Sequence, residues 1–471
     1  MTTPLYAREP HLQQLGACMS GICALGAAAA PDQAFGMSSG ALNATLAQRM
    51  ELLAPLADSV IRNVISCADN GAVGTLRQVI GVANDDDIID LGSLPCSTIT
   101  LTAGEIVTAR NGLKLQGPLD DSVVEITTSN QNRLLHHTGA GQIEIQHLKL
   151  TEGKYVSATG NAKGGCLYSE GNVRLISTVM NGCGVYVSKA SAPPVQASGG
   201  AVYAQGSIYA LLSTITLNSA FAKNSNVAKG GALVSGFDFV HGYYSTLSSN
   251  TAGGVTMGVS FGLGGAVVGD EIFFRSSTIE SNHADIAGAL FEGSSGVGNG
   301  VALVNCTVSG NTSTTAIGAI YSAAKVQLFN STLAFNSTTS GAAVSVKNAA
   351  VTAVSSIIAR NSSGSAFVDL YISGASGTLG GDHSLIMSSN LALPGTLTAD
   401  PRLTPLAYHV GVERRTHALL SSSPAINQGS NLLTLLNDGR GLVREVPTGF
   451  PDIGAYERQV LDDEIFYGGF D

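Results

Sequence analysis

The chain has 471 residues, 44% of them hydrophobic and only 12% charged, with 57 glycines and no tryptophan. That hydrophobic share supports a large core and excludes global disorder, while so few charges leave little to cover exposed helix faces and favour β-structure rich in turns. The net charge of −10 supplies no basic surface for phosphates, so nucleic acid is excluded as a partner; neutral polar ligands, cations and glycans remain open.

Residues 1–30 read as a signal peptide, because Leu15 to Ala29 form an apolar stretch that ends in small residues. A buried N-terminal helix is the competing reading, since Arg8 is offset by Glu9. No other stretch is apolar for long enough to cross a membrane as a helix, so no transmembrane segment is expected in the mature chain. Residues 31–58 form a short lead. Removal of the signal would leave Cys67, Cys96, Cys166, Cys183 and Cys306. In an oxidising compartment the sequence-near pairs Cys67–Cys96 and Cys166–Cys183 are disulfide candidates, with small buried thiols as the alternative. No cysteine–histidine cluster suggests zinc, and no cofactor is expected.

Residues 59–395 carry a repeat. Aligned on "ST", its copies begin at Ser177, Ser213, Ser245, Ser277, Cys306, Ser331 and Ser356. Six of them place asparagine five residues later, at Asn218, Asn250, Asn282, Asn311, Asn336 and Asn361, whereas Asn181 in the first copy is one residue early. Upstream of each lies a second element led by small residues, such as "GGCLYS", "GGALVS" and "GGAVVG". Short, β-branched, glycine-punctuated segments at a period of 20–50 residues indicate a parallel β-helix, in which equivalent residues of successive coils stack in columns. The recurring asparagine fits an internal ladder at a corner.

At these residues the chain resembles bacterial right-handed β-helix proteins with polymorphic-outer-membrane-protein-like repeats. "CADNGAVGTLRQVIGVAND" from Cys67 resembles that family's opening segment. "DPRLTPL" at Asp400, "THALLSSSPAINQGS" at Thr416, "DGRG" at Asp438 and "PDIGAYE" at Pro451 resemble, in order, the choice-of-anchor Q segment. Here the family's "GG" before "THAL" is replaced by "VGVERR". The resemblance implies an all-β, right-handed parallel β-helix with N- and C-terminal caps, a pectate-lyase-like solenoid carried to the bacterial surface or secreted. Residues 396–458 would form the closing segment, and the tail 459–471 resembles a short ending of exported proteins.

Such solenoids include polysaccharide lyases and glycoside hydrolases, so chemistry has to be sought residue by residue. Seven positions before each repeat start stand Glu170, Gly206, Asp238, Asp270, Asn299, Ala324 and Ala349. Asp238 and Asp270 would stack on adjacent rungs, where two carboxylates could share a proton or hold a cation or a sugar hydroxyl. They are the catalytic candidates, although the column's other occupants are turn residues. The run Asp85–Asp87 reads as a solvated loop. His136 and His137 are adjacent and face opposite sides of a strand, so they cannot chelate one metal. Asp382 with His383 has no companion carboxylate, and Asp452 and Glu457 belong to the closing segment. Tyr243 and Tyr244 are candidates for stacking against sugars, alongside Phe273, Phe274, Phe291, Tyr321 and Phe329. The sequence thus points to an exported adhesive or glycan-binding module. The alternatives are a polysaccharide lyase or glycoside hydrolase and a structural envelope component.

Overall fold

Short apolar runs interrupted by glycines and left-handed corner residues cannot bury their inner faces alone, and here each run pairs with its counterpart one repeat later. The computed structural model describes residues 59–459 except 121, 130–131, 190–192, 256–259, 294–299, 316, 365–367, 410–413 and 445–448, and all described residues belong to one compact unit. The signal (1–30), the lead (31–58), Asn299 and the tail beyond Gln459 lie outside them.

Among the described residues five parallel sheets run along the solenoid, with 10, 12, 11, 7 and 4 strands. One coil shows their order. Leu233–Ser235 belongs to the 10-stranded Gly-Gly sheet and Phe239–Tyr243 to the 12-stranded long sheet. Thr246–Ser248 lies in the 11-stranded Ser-Thr sheet. Thr251–Gly254 then leaves the body in a 7-stranded outgoing sheet, and Phe261–Leu263 returns in a 4-stranded sheet. Register is in step from coil to coil: Leu233 pairs with Val267, Val240 with Ile272, Leu247 with Ile279. Parallel crossovers of this kind are right-handed, and the fold is a right-handed parallel β-helix. Alternate residues point inward, so Leu233, Val240, Leu247, Ile272 and Phe274 are fully buried. Burial of each stabilises the fold by roughly 1.5–3 kcal/mol.

The glycine pairs make the corner into the Gly-Gly sheet. Gly230 has φ +57, and a Cβ on Gly231 would stand 2.2 Å from the Gly265 carbonyl oxygen of the next coil. The other corners use left-handed non-glycine residues, such as Tyr244 (φ 50) before the Ser-Thr sheet and Ser249 (φ 55) after it. After each comes a buried ladder. Asn250 Oδ1 accepts the backbone N–H (3.1 Å) and the amide (2.9 Å) of Asn218, and the pattern continues through Asn282, Asn311 and Asn336 to Asn361. Asp369 closes it, accepting the Asn361 amide at 2.8 Å, and burial pushes its carboxyl up to about 6.

A second ladder accounts for the serine of each "ST". The Ser213 backbone N–H donates to Ser245 Oγ, Ser245 N–H to Ser277 Oγ, Cys306 N–H to Ser331 Oγ and Ser331 N–H to Ser356 Oγ, all at 3.1–3.2 Å. In the first copy the phase is shifted by one. Ser177 is the left-handed corner residue (φ 47), Thr178 N–H bonds Ser213 Oγ, and Cys183 takes the asparagine position with its N–H on Asn218 Oδ1. Asn181 and Glu170 therefore stand outside the columns to which the sequence alignment assigns them. Cys183 is bonded to Cys166, and Cys67 to Cys96. The free Cys306 is buried on the serine ladder, and burial pushes its thiol up to about 12.

At the N-terminal end, helix Leu76–Gly81 buries Leu76, Val79 and Ile80 against the first coils. Asp87 departs from the solvated-loop expectation. It is 2% exposed, pairs with Arg62 and accepts the Asn84 N–H at 2.7 Å. At the other end Leu397 bridges Leu385 of the last coil. The chain then folds back along the side of the solenoid over the Ser-Thr sheet, so most of 396–458 is a lateral strap. Arg415 pairs with Glu280, and Ser309 Oγ meets His417 Nε2 at 2.8 Å. Ala455 N–H bonds Thr332 Oγ1 at 3.0 Å, and Arg444 bonds both Glu457 (3.0 Å) and Asn305 (2.8 Å).

Candidate functional site

Between Lys154 and Leu263 the outgoing and returning sheets lie back to back as a thin fin. Its interior needs small residues: Ala162, Ala197 and Ala228 face Val185, Ala220 and Ala252, all buried. The other side of the returning sheet carries the column Lys163, Ser198, Lys229, Leu263. It forms one wall of a groove whose floor is the outer face of the Gly-Gly sheet.

The floor is a register column. His136, Tyr168, Tyr203, Val234, Val268, Phe291 and Tyr321 pair in succession along it. Neighbouring rings touch: His136 and Tyr168 stack at 4.6 Å, Tyr168 and Tyr203 meet edge-on at 5.7 Å, and Phe291 stacks on Tyr321 at 5.1 Å. The Lys163 ammonium lies 4.3 Å from the Tyr203 ring centroid, a distance at which a cation is attracted to the ring face. Arg133 closes one end, its guanidinium 4.2 Å over Tyr155 and bonded to the Gly164 carbonyl at 2.8 Å and to Glu105.

The corner between the Gly-Gly and long sheets forms the opposite wall: Asp270 lines the cavity, Asp238 precedes it by one rung, and Glu170 is near enough to act on the Lys163 charge. Phe239 pairs with Glu271, so Asp238 and Asp270 stand on adjacent rungs as the repeat predicts. Asp238 accepts from Ser207 Oγ, while Asp270 lines a cavity of about 200 Å³ with Lys229, Ser198, Tyr203 and Phe291. Burial, then Glu292, pushes the Asp270 carboxyl above its ordinary range, with Asp238 adding to the shift against the pull of Lys229. Burial also holds Lys163 and Lys229 below the usual ammonium range, opposed by Glu170 and Asp270 respectively. Among the described residues no ion pair within 4.0 Å joins either lysine to a carboxylate. Glu292 is committed elsewhere, fully buried and accepting from Ser322 Oγ (2.8 Å) and the N–H groups of Ala323 and Ala324.

The other sequence candidates lie apart. Tyr243 is 6% exposed on the long sheet against Tyr209 and Phe273, and Tyr244 is a corner residue beneath Arg414. Neither is in the groove with Asp270. Phe274 and Phe329 are core residues. His137 turns inward onto Ser169 Oγ (2.8 Å) while His136 faces the groove. Asp382 and His383 form an exposed pair at 3.5 Å, and Asp452 and Glu457 sit buried in the strap. Among the described residues no three histidine, cysteine or acidic side chains converge as a metal site.

Lys163, Lys229, Tyr168 and Tyr203 are absent from the sequence candidates. Their signal was positional: each lysine directly precedes a glycine pair, and each tyrosine is the fifth residue of the "GG" element.

No family model matches the sequence, and no curated protein matches it. Among solved structures the fold is similar to that of the pectate lyase Pel9A, with a TM-score of 0.46 and 12% identity over 85% of this chain and 97% of that one.

Proposed function

We propose that this chain is an exported, surface-bound or secreted β-helix of the choice-of-anchor Q kind, and that it binds a carbohydrate polymer in the groove beside the fin. The observation that carries this reading is the ring column His136, Tyr168, Tyr203 running along the solenoid axis under the Lys163 and Lys229 wall. A linear polymer laid along that axis meets a new rung about every 4.8 Å. Aromatic rings with a polar rim suit the apolar faces and hydroxyl edges of sugars. Export accords with the apolar segment after Leu15 and with the two disulfides.

A second reading, a lyase or hydrolase, has one observation in its favour. Lys229 is partly buried, free of an ion pair and faces Asp270 across a cavity, the kind of setting in which a lysine serves as a base.

One experiment separates the two. The protein is screened against a polysaccharide panel for retention and for release of unsaturated or reducing ends. Retention without products, weakened about tenfold by Tyr168→Ala, the ~1.4 kcal/mol expected of one aromatic contact, supports the binding module. Products that vanish in Lys229→Gln or Asp270→Asn make the protein an enzyme. Retention indifferent to Tyr168→Ala removes the groove from consideration.

A further inference from the structure

The two walls of the groove carry opposite charge. On the fin wall Lys163 and Lys229 occupy one column with Ser198 between them, so the ammoniums recur every second rung, about 10 Å apart. On the corner wall Glu170, Asp238 and Asp270 supply carboxylates, and Asp270 stands beside both Asp238 and Glu292. Among the described residues no ion pair within 4.0 Å joins Lys163 or Lys229 to the corner carboxylates. Burial pushes the Tyr203 phenol on the floor up to about 12, and its hydroxyl donates to Gln205 Oε1 at 3.3 Å.

Each simple class of polymer satisfies one wall and offends the other. A polyanion pairs with the lysines but adds negative charge beside Asp238 and Asp270. A polycation does the reverse. A neutral glycan desolvates both walls and leaves their charges without partners, which is costly. We infer that the groove selects a linear amphoteric glycan, one carrying carboxylates along one edge and ammonium groups along the other. Its carboxylates face Lys163 and Lys229, its ammonium groups face Asp238 and Asp270, and a sugar lies against Tyr168, next to Tyr203 with its ring beneath Lys163. A chain in which acidic and amino sugars alternate fits the every-second-rung spacing of the lysines. This inference rests on the glycan-binding reading of the same groove.

The test uses two polymers of equal length that differ only in the amine: hyaluronan and de-N-acetylated hyaluronan, titrated against the full chain at mildly acidic pH and low salt. The expected result is about tenfold tighter binding of the de-N-acetylated polymer, equivalent to ~1.4 kcal/mol. Asp270→Asn should abolish that preference while retaining the residual binding of the parent polymer, and Lys229→Gln should weaken both. Both changes replace polar groove side chains without touching the core. Equal affinity for the two polymers, a preference that survives Asp270→Asn, or binding of neither overturns the inference. If the panel nevertheless shows Tyr168-dependent retention of a purely acidic or neutral glycan, the groove reading stands and only the amphoteric preference falls.

Discussion

In the bore of the solenoid the stacked residues are large: Leu233, Leu247, Ile272, Ile279 and Phe274, each fully buried. Between the two sheets of the fin they are Ala162, Ala197 and Ala228 against Ala220 and Ala252, equally buried. The same rung-to-rung hydrogen bonding builds both regions, yet the bore stacks leucine, isoleucine and phenylalanine where the fin stacks mostly alanine, so a bore residue removes more apolar surface from water. At roughly 25 cal/mol per Å² the bore supports itself and the fin depends on it. A thin wall built from alanines suits a groove, because it sets Lys163 and Lys229 beside the tyrosine floor without the width that leucines would require.

The sharpest break of this comparison is in the bore. Phe274 is fully buried and lies against Gly242, where a Cβ would meet the ring at 2.1 Å. Phe274→Ala should cost about 3–5 kcal/mol, the range for emptying a buried aromatic site. Denaturant unfolding checks this. A loss below about 1 kcal/mol would mean that the coils stack independently of their bore.

The strap is fastened by buried polar groups, a third mode of attachment beside the bore and the fin. His417 donates from Nδ1 to the Thr404 carbonyl (2.8 Å) and accepts from Ser309 Oγ at Nε2. Burial lowers its imidazole to about 4, with the Thr404 carbonyl opposing and His409 adding slightly. Between about 4 and 6.5 the unfolded chain therefore binds more protons, and stability falls as pH falls. Glu457, pushed up to about 7 by burial and by Asp452, acts in the opposite sense over much of that window. A His417→Gln variant isolates the imidazole. Between pH 6.5 and 4 the native chain should lose on the order of 3 kcal/mol more than the variant, since 2.5 units at 1.36 kcal/mol each set the scale. Parallel pH profiles of thermal unfolding would show that His417 does not fasten the strap.

Much of this architecture is legible in the sequence, and what is not has physical reasons. The "ST…N" repeat specifies the coil and its asparagine ladder because columns demand like residues at like positions. The serine ladder is hidden, since serine is equally at home in an ordinary turn, and one left-handed corner residue at Ser177 displaces Thr178 and Cys183 from the alignment. The fin is hard to see because alanine and glycine carry no period that distinguishes a packed sheet from a loop. The strap's path depends on contacts such as Arg415 with Glu280, 135 residues apart, which no local pattern announces. Of the site, the sequence reaches Asp238 and Asp270 because they share a column. It passes over Lys163 and Lys229 because their relation to the floor exists only once the fin turns back.

The smallest expected effect on stability bears most directly on function. Ala220 faces Ala197 and Ala228 inside the fin and is fully buried. Ala220→Leu adds volume that the gap cannot hold, so the two fin sheets must separate, at about 1–3 kcal/mol. Because the bore is untouched, the loss should be local: hydrogen exchange should quicken at fin amides such as Val227 and Ala228, while the global unfolding midpoint moves less than in Phe274→Ala. Separation of the sheets displaces the Lys163 and Lys229 wall from the tyrosine floor, so polymer retention should fall with the fin's protection. Retention that persists in a chain whose fin exchanges freely would place binding on the floor alone. A midpoint loss as large as that of Phe274→Ala would mean that fin and bore fold as one core.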